Sequence, residues 1–197
     1  MVDGMRVGVL ALQGSFAEHA EALRAAGASP VLVRLPAHME GIAGLIIPGG
    51  ESTTIGKLLV NSGLLEPLRA AVQKGMPVYG TCAGMILLAR DIGGRDQPLI
   101  GVMDITVKRN AFGRQLDSFE ETLSVPSVGP EPFRGVFIRA PLIEKTGVGV
   151  SVLATLPDGR VVAARQGRLL ATAFHPELTS DARVHRYFLE MINGKAA

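Results

Sequence analysis

Over the first 90 residues, short apolar runs alternate with segments of helical periodicity, and this alternation is the strongest constraint on how the chain can fold. Val7 to Leu12 reads as a fully buried first strand. Ser15 and Glu18 have the spacing of a capping box, Phe16, Ala20 and Leu23 follow on one helical face, and Gly27 supplies a stop. Val31–Leu35 and Gly44–Ile47 read as further strands, the latter ending in Pro48-Gly49-Gly50. Ser52 is then expected to cap a helix carrying Ile55, Leu58 and Leu59 up to Gly63, and Glu66 to Lys74 continues helically. Pro77–Tyr79 is another buried strand and Ala83–Arg90 another helix. Such alternation predicts a three-layer α/β fold, a mostly parallel open sheet with helices on both faces.

The pattern changes after residue 100: residues 100–107 and 120–172 read mostly as strands. Leu156-Pro-Asp-Gly-Arg160 and Gln166-Gly-Arg168 carry turn signals. This part predicts an antiparallel edge or small second sheet, closed by a last helix from about Ser180 to Asn193. With no linker, repeat or low-complexity segment, residues 1–197 read as one domain.

Composition narrows the function classes. Lys and Arg number 20 against 18 Asp and Glu, without a basic run, so a nucleic-acid partner is not expected. The absence of Trp and the 5% aromatic content argue against a base-stacking platform. The longest uncharged stretch, Gly75 to Ala89, has 15 residues and falls short of a membrane helix. No signal peptide is apparent, so a cytoplasmic protein is expected. A single Cys excludes an intramolecular disulfide framework and a Cys-rich zinc site.

That single cysteine sits in Val78-Tyr-Gly80-Thr-Cys82-Ala-Gly84-Met85, between a strand and a helix. G-x-C-x-G in this position is the cysteine form of a nucleophile elbow, a sharp turn that lifts the reactive group above the sheet edge. The helix N-terminus favours negative charge there, which suits a thiolate. The Ala83 N–H would then be placed to bind an oxyanion. The plain alternative is an inert buried cysteine.

A cysteine nucleophile needs a proton acceptor, and the chain has four histidines. His19, His38 and His185 read as surface or structural residues. His175 ends the apolar strand Leu169–Phe174, and Pro176 biases it towards an extended conformation. Residues two apart then share a face, so Glu177 can hold the imidazole while the other ring nitrogen meets Cys82. Alone, His175 and Glu177 would read as a solvated strand end. A third element, Pro48-Gly-Gly-Glu-Ser-Thr-Thr54, fails as a phosphate loop, because five residues separate Gly50 from Gly56 and Leu58 replaces the metal-binding Ser/Thr. A Gly-Gly turn can instead offer a backbone N–H to the same oxyanion. All three elements fall at C-terminal strand ends, where open parallel sheets bind ligands.

Gly80-Thr-Cys-Ala-Gly84, the Pro48–Ser52 loop and His175-Pro-Glu177 resemble the class I, triad-type glutamine amidotransferases. Leu10-Ala-Leu-Gln-Gly14, Arg109-Asn-Ala-Phe-Gly-Arg-Gln115, Ser118-Phe-Glu120, Val136-Phe-Ile-Arg-Ala-Pro141 and His175–Thr179 narrow the resemblance to the glutaminase subunits of pyridoxal phosphate synthase, across nearly the whole chain. Only the N-terminal Met1-Val-Asp-Gly departs from that pattern, as an extension before Met5.

The resemblance implies a flavodoxin-like fold and hydrolysis of glutamine to glutamate and ammonia through a Cys82–His175–Glu177 triad and a glutamyl thioester. It places Gly50, Glu51, Ser52, Arg109, Ile138 and Arg139 around the glutamine, with Gly50 and Ala83 as oxyanion donors. Gln13 and the first helix with His19 are candidates for coupling to a partner, a (β/α)8-barrel synthase in a large oligomer that receives the ammonia. Neither a metal nor a bound organic cofactor is implied. Two other readings remain open at this point: a glutaminase of another amidotransferase branch, such as that feeding histidine biosynthesis, and a non-catalytic interaction subunit.

Overall fold

From Val7 to Leu10 every residue of the first apolar run is buried, which requires cover on both faces of the strand. The computed structural model, which describes residues 4–94, 96–109, 111 and 118–196, supplies that cover with helices. In chain order the elements are β1 (Arg6–Leu10), α1 (Phe16–Ala25), β2 (Ser29–Val33), β3 (Gly44–Ile47), α2 (Ser52–Asn61), α3 (Leu65–Gln73), β4 (Val78–Thr81), α4 (Ala83–Leu88) and β5 (Ala89–Asp91). They continue with β6 (Met103–Lys108), β7 (Ser118–Leu123), β8 (Phe133–Ile138), β9 (Leu142–Thr146), β10 (Val150–Thr155), β11 (Val161–Gln166), β12 (Leu169–Thr172) and α5 (Arg183–Ile192). Among the described residues, no helix is long and apolar enough to cross a membrane.

The main sheet has the order β2-β1-β3-β4-β12-β11-β9-β6-β5, with β10 paired to β11. From β2 to β12 the strands are parallel, in the order of flavodoxin-like sheets. β11, β9 and β6 extend the sheet through antiparallel pairs, and β5 joins β6 in parallel. Among the described residues, β7 and β8 alone form a separate antiparallel ribbon. A mostly parallel sheet with a small antiparallel one is thus what the chain builds, although most of its late strands join the main sheet. The connections β1–α1–β2 and β3–α2–α3–β4 step in opposite directions along that sheet, so right-handed crossovers put their helices on opposite faces. α1 accordingly packs with α5, and α2 with α4.

Local chemistry departs from expectation at three points. The helix expected to reach Arg90 ends at Leu88, and the chain passes directly into β5. Ser15 does not cap α1, because its hydroxyl is engaged elsewhere. Ser52 lies inside α2, and the cap is Glu51, whose carboxylate accepts the Thr54 N–H at 2.8 Å. A carboxylate at that position also answers the partial positive charge of the helix N-terminus, which a serine hydroxyl cannot. Both expected hairpin turns form. Leu156 N–H bonds the Arg160 carbonyl between β10 and β11, and Gly167 takes φ 56° between β11 and β12.

The β7–β8 ribbon is fastened to the main sheet by aromatic packing. Phe174, just after β12, lies 5.6 Å from Phe133 and 5.7 Å from Phe137, ring centre to ring centre. Phe119 stacks on Phe137 at 4.6 Å. The His175 N–H donates to the Val136 carbonyl at 2.8 Å, so the ribbon is also tied by backbone. Phe137→Ala should cost about 3–5 kcal/mol of stability. Thermal unfolding should show a Tm lowered by roughly 6–20 °C, at ~2–4 °C per kcal/mol for a domain of this size.

Candidate active site

The β4–α4 turn is a strained elbow. Cys82 has φ 48° and ψ −102°, a conformation that persists only where the surroundings over-determine it. Here they do so through backbone contact. The Cys82 N–H donates to the Thr172 carbonyl at 2.8 Å, continuing the β4–β12 register. A Cβ at Gly84 would collide with the Ile47 carbonyl oxygen, and one at Gly80 with the Gly84 carbonyl. The glycines of G-x-C-x-G are therefore required by close approach of β3, β4 and α4. The Cys82 thiol lies 3.8 Å from the Ile138 carbonyl oxygen, its acceptor at the end of β8. The next residue, Arg139, is the other non-glycine with positive φ among the described residues, at 44°.

His175 and Glu177 meet as their spacing predicts. Pro176 opens a single 3-10 turn after His175. His175 Nδ1 lies 2.7 Å from Glu177 Oε1, with the Glu177 side chain wholly buried. The other ring nitrogen is left for Cys82, which lines the same cavity. Burial opposes a charge on His175, yet its interactions with Cys82 and with the hydrogen-bonded Glu177 carboxylate outweigh it and raise its pKa to about 10. Burial likewise opposes charge on Glu177, but the electrostatic pull of the His19 ring and the hydrogen bonds from His175 and Ser15 hold it down at about 2.

The third element joins them at the switch point of the sheet, between β1 and β3. The His175 ring lies against Gly49, where a Cβ would collide with Cε1. The loop after β3 is tied to the loop after β1 twice. The Glu51 N–H donates to Gln13 Oε1 at 2.9 Å, and the Ser15 N–H donates to the Gly49 carbonyl at 3.1 Å.

These elements line a cavity of about 510 Å³ that includes Gln13, Gly50, Glu51, Ser52, Cys82, Arg109, Ile138, Arg139 and His175. Arg109 is held by Glu51 Oε1 at 3.0 Å and Gln97 Oε1 at 2.8 Å. Glu51 remains ionised: burial opposes this, but the Thr54 hydrogen bonds and Arg109 lower its pKa below the usual carboxylate value. A cavity bordered by two guanidinium groups and a carboxylate suits a zwitterionic amino acid whose side chain reaches Cys82. Among the described residues, no group of three His, Cys, Asp or Glu side chains is placed to hold a metal ion.

Two expected residues sit differently. Ser52 is 2% exposed, with its hydroxyl committed to Gln97 at 3.3 Å. His19 offers no contact surface to a partner, because its side chain is completely buried behind Glu177. Residue Ala83 heads α4 next to the thiol but does not line the cavity. Three residues of the site escaped sequence reasoning. Ser15 gives its hydroxyl to Glu177 Oε1 at 2.7 Å, a role hidden by its resemblance to a helix cap. Gln97 orders Arg109 from an irregular segment with no motif, and His185 reaches the site only through α5. Of the Arg109–Gln115 motif, Asn110 and residues 112–115 lie outside the described residues, as do residues 1–3.

Comparison with known proteins agrees with this geometry. Residues 9–194 match the model of the SNO glutamine amidotransferase family. The chain is 63% identical over 186 residues to pyridoxal 5'-phosphate synthase subunit PdxT of Pelotomaculum thermopropionicum, covering 94% of each sequence. It is 62% identical over 188 residues to the PdxT of Moorella thermoacetica, covering 95% of this chain and 100% of that one. A crystal structure of a glutamine amidotransferase superposes with a TM-score of 0.91 at 53% identity, covering 95% of this chain and 98% of the other. With a family model matched over almost its whole length and a nucleophile elbow facing a His–Glu pair, the chain belongs to the SNO glutamine amidotransferase family.

Proposed function

We propose that this chain is the glutaminase subunit of a pyridoxal 5'-phosphate synthase, hydrolysing L-glutamine to L-glutamate and ammonia. The observation that carries the reading is the convergence of Cys82 and His175, with Glu177 buried behind the imidazole, at one wall of a cavity whose other walls bear Arg109, Arg139 and Glu51. The arginines suit the α-carboxylate of glutamine and Glu51 its α-ammonium group. Cys82 attacks the side-chain amide carbon, and the proton it gives up resides on His175. The tetrahedral oxyanion is received by the N–H groups of Ala83 and Gly50. His175 returns its proton to the departing nitrogen, which leaves as ammonia. His175 then takes a proton from water, whose oxygen attacks the glutamyl thioester and releases glutamate and the thiol. Glu177 fixes the imidazole and stabilises its charge throughout.

The ammonia passes to a synthase partner, a (β/α)8 barrel in a large oligomer. The Gly49–Gly50 peptide, its carbonyl held by the Ser15 N–H while Gln13 accepts the following N–H, that of Glu51, is the element on which docking would act. Two adjacent glycines rotate a peptide plane at low cost, and one lost oxyanion donor costs ~10²–10³ in rate. A partner that binds the competent loop conformation better shifts the population towards it.

Cys82→Ala should lower glutamate release by roughly 10⁴-fold or more while leaving fold and partner binding intact. Wild-type release by that variant, in a coupled glutamate assay, would remove the assignment. Glu177→Gln should cost roughly 10–100-fold less than His175→Asn, because the acid orients while the histidine moves protons.

The pH profile adds a signed test. Glutaminase activity should fall as pH rises through about 10, where His175 loses the proton it must donate. Glu177→Gln removes a charge that holds that proton, so the alkaline limb should move to lower pH. Turnover at saturating glutamine should rise, by up to ~10²–10³, when excess synthase is added. Equal rates with and without synthase would leave channelling as the partner's sole contribution.

A further inference from the structure

Glu177 Oε2 is buried and has no hydrogen-bond partner within ordinary limits. The group facing it is the imidazole of His19, whose Nε2 lies 3.4 Å away and 3.0 Å from Thr81 Oγ1. On its other side, His19 Nδ1 lies 3.0 Å from His185 Nε2. We infer that His19 is a positioning residue of the triad: a neutral imidazole, kept in its Nε2–H tautomer by His185, whose N–H is engaged by Thr81 Oγ1 at 3.0 Å and presents its positive end to Glu177 Oε2 at 3.4 Å. This rests on the glutaminase reading and deepens it.

The tautomer follows from counting donors. If His19 carried its proton on Nδ1, it would donate to His185 Nε2. His185 would then hold its own proton on Nδ1, which is buried and has no partner. The bare His19 Nε2 could accept from the Thr81 hydroxyl, but its lone pair would still stand 3.4 Å from a carboxylate oxygen. With the proton on His19 Nε2, His185 donates from Nε2 to His19 Nδ1, and only an acceptor lone pair on His185 Nδ1 goes unmet. An orphaned buried donor costs more than an under-used acceptor. The groups packed around His19 come from every side: His185 from α5, Thr81 and the Tyr79 ring from β4, and Glu177 from the turn after β12. Of the surrounding charges, Glu177 and Glu18 favour protonation of His19 and His175 opposes it. Burial outweighs the rest and lowers the pKa of His19, and it lowers that of His185 to about 3, so both rings are neutral. The chain of contacts therefore runs from α5 through α1 to the triad acid, and stops Glu177 from turning away from His175.

Two measurements test this. Imidazole 15N NMR of the full wild-type chain should show His19 neutral with its proton on Nε2 between about pH 5 and 8. A proton on Nδ1, or a charged ring, would overturn the inference. That result does not depend on activity, so it stays decisive even if wild-type protein fails to hydrolyse glutamine, an outcome that would sink the glutaminase reading instead. With the synthase present, His19→Leu should lower kcat by roughly 10–100-fold at unchanged KM for glutamine. It should also move the acid limb of kcat/KM to higher pH, because Glu177 loses the N–H dipole that faces its Oε2. His19→Gln, whose amide N–H can occupy the Nε2 position, should restore most of both. An unmoved acid limb, or loss that merely tracks the folded fraction in both variants, would assign His19 a packing role only.

Discussion

One buried carboxylate holds the two halves of this site together. Glu177 has no exposed side-chain surface, and a charge without water must be met by the protein or it will not persist. Its Oε1 takes two short hydrogen bonds, from Ser15 and His175, and its Oε2 faces His19. Those partners come from the loop after β1, the end of β12 and the buried face of α1. Satisfying a single charge thereby fixes the rotation of the catalytic imidazole and the position of the first loop. The Ser15 N–H carries the same order on to Gly49.

Backbone contact does for the nucleophile what charge does for the histidine. Gly80, Gly84 and Gly49 each sit where any Cβ would meet a carbonyl or the His175 ring. These approaches let β3, β4 and α4 close on one another and bring the Gly49–Gly50 peptide beside the Cys82 elbow. The strain at Cys82 is sustained because both its neighbours and the β12 backbone are committed. The β7–β8 ribbon completes the cavity, and aromatic packing on Phe174 together with the His175–Val136 hydrogen bond keeps Ile138 and Arg139 above the thiol.

The parallel half of the fold was readable because its strands are buried on both faces and so appear as continuous apolar runs, separated by helices with a clear stripe. The meeting of Cys82, His175 and Glu177 was readable for a related reason: all three lie within a few residues of strand ends, in glycine- and proline-punctuated turns. The late strands were recognisable as strands but not as neighbours. Nothing local tells β9 to pair with β6 and β11 while β7 pairs only with β8.

Side-chain roles at the site divide in the same way. Ser15 looks like a helix cap and Ser52 like another, because short-range spacing is all that a capping motif records. In the folded chain the Ser15 hydroxyl meets a carboxylate 162 positions away, and Glu51 takes the cap that Ser52 was expected to fill. His19 has the sequence setting of a surface residue, yet α1 packs against α5 and buries it between His185 and Glu177. By itself the sequence determined the layered fold, the Cys82 elbow and the pairing of His175 with Glu177, since each is encoded within a few neighbouring residues. The tertiary structure alone decided which distant hydroxyl and imidazole meet the buried carboxylate, because that choice depends on how helices on one face pack across the ends of several strands.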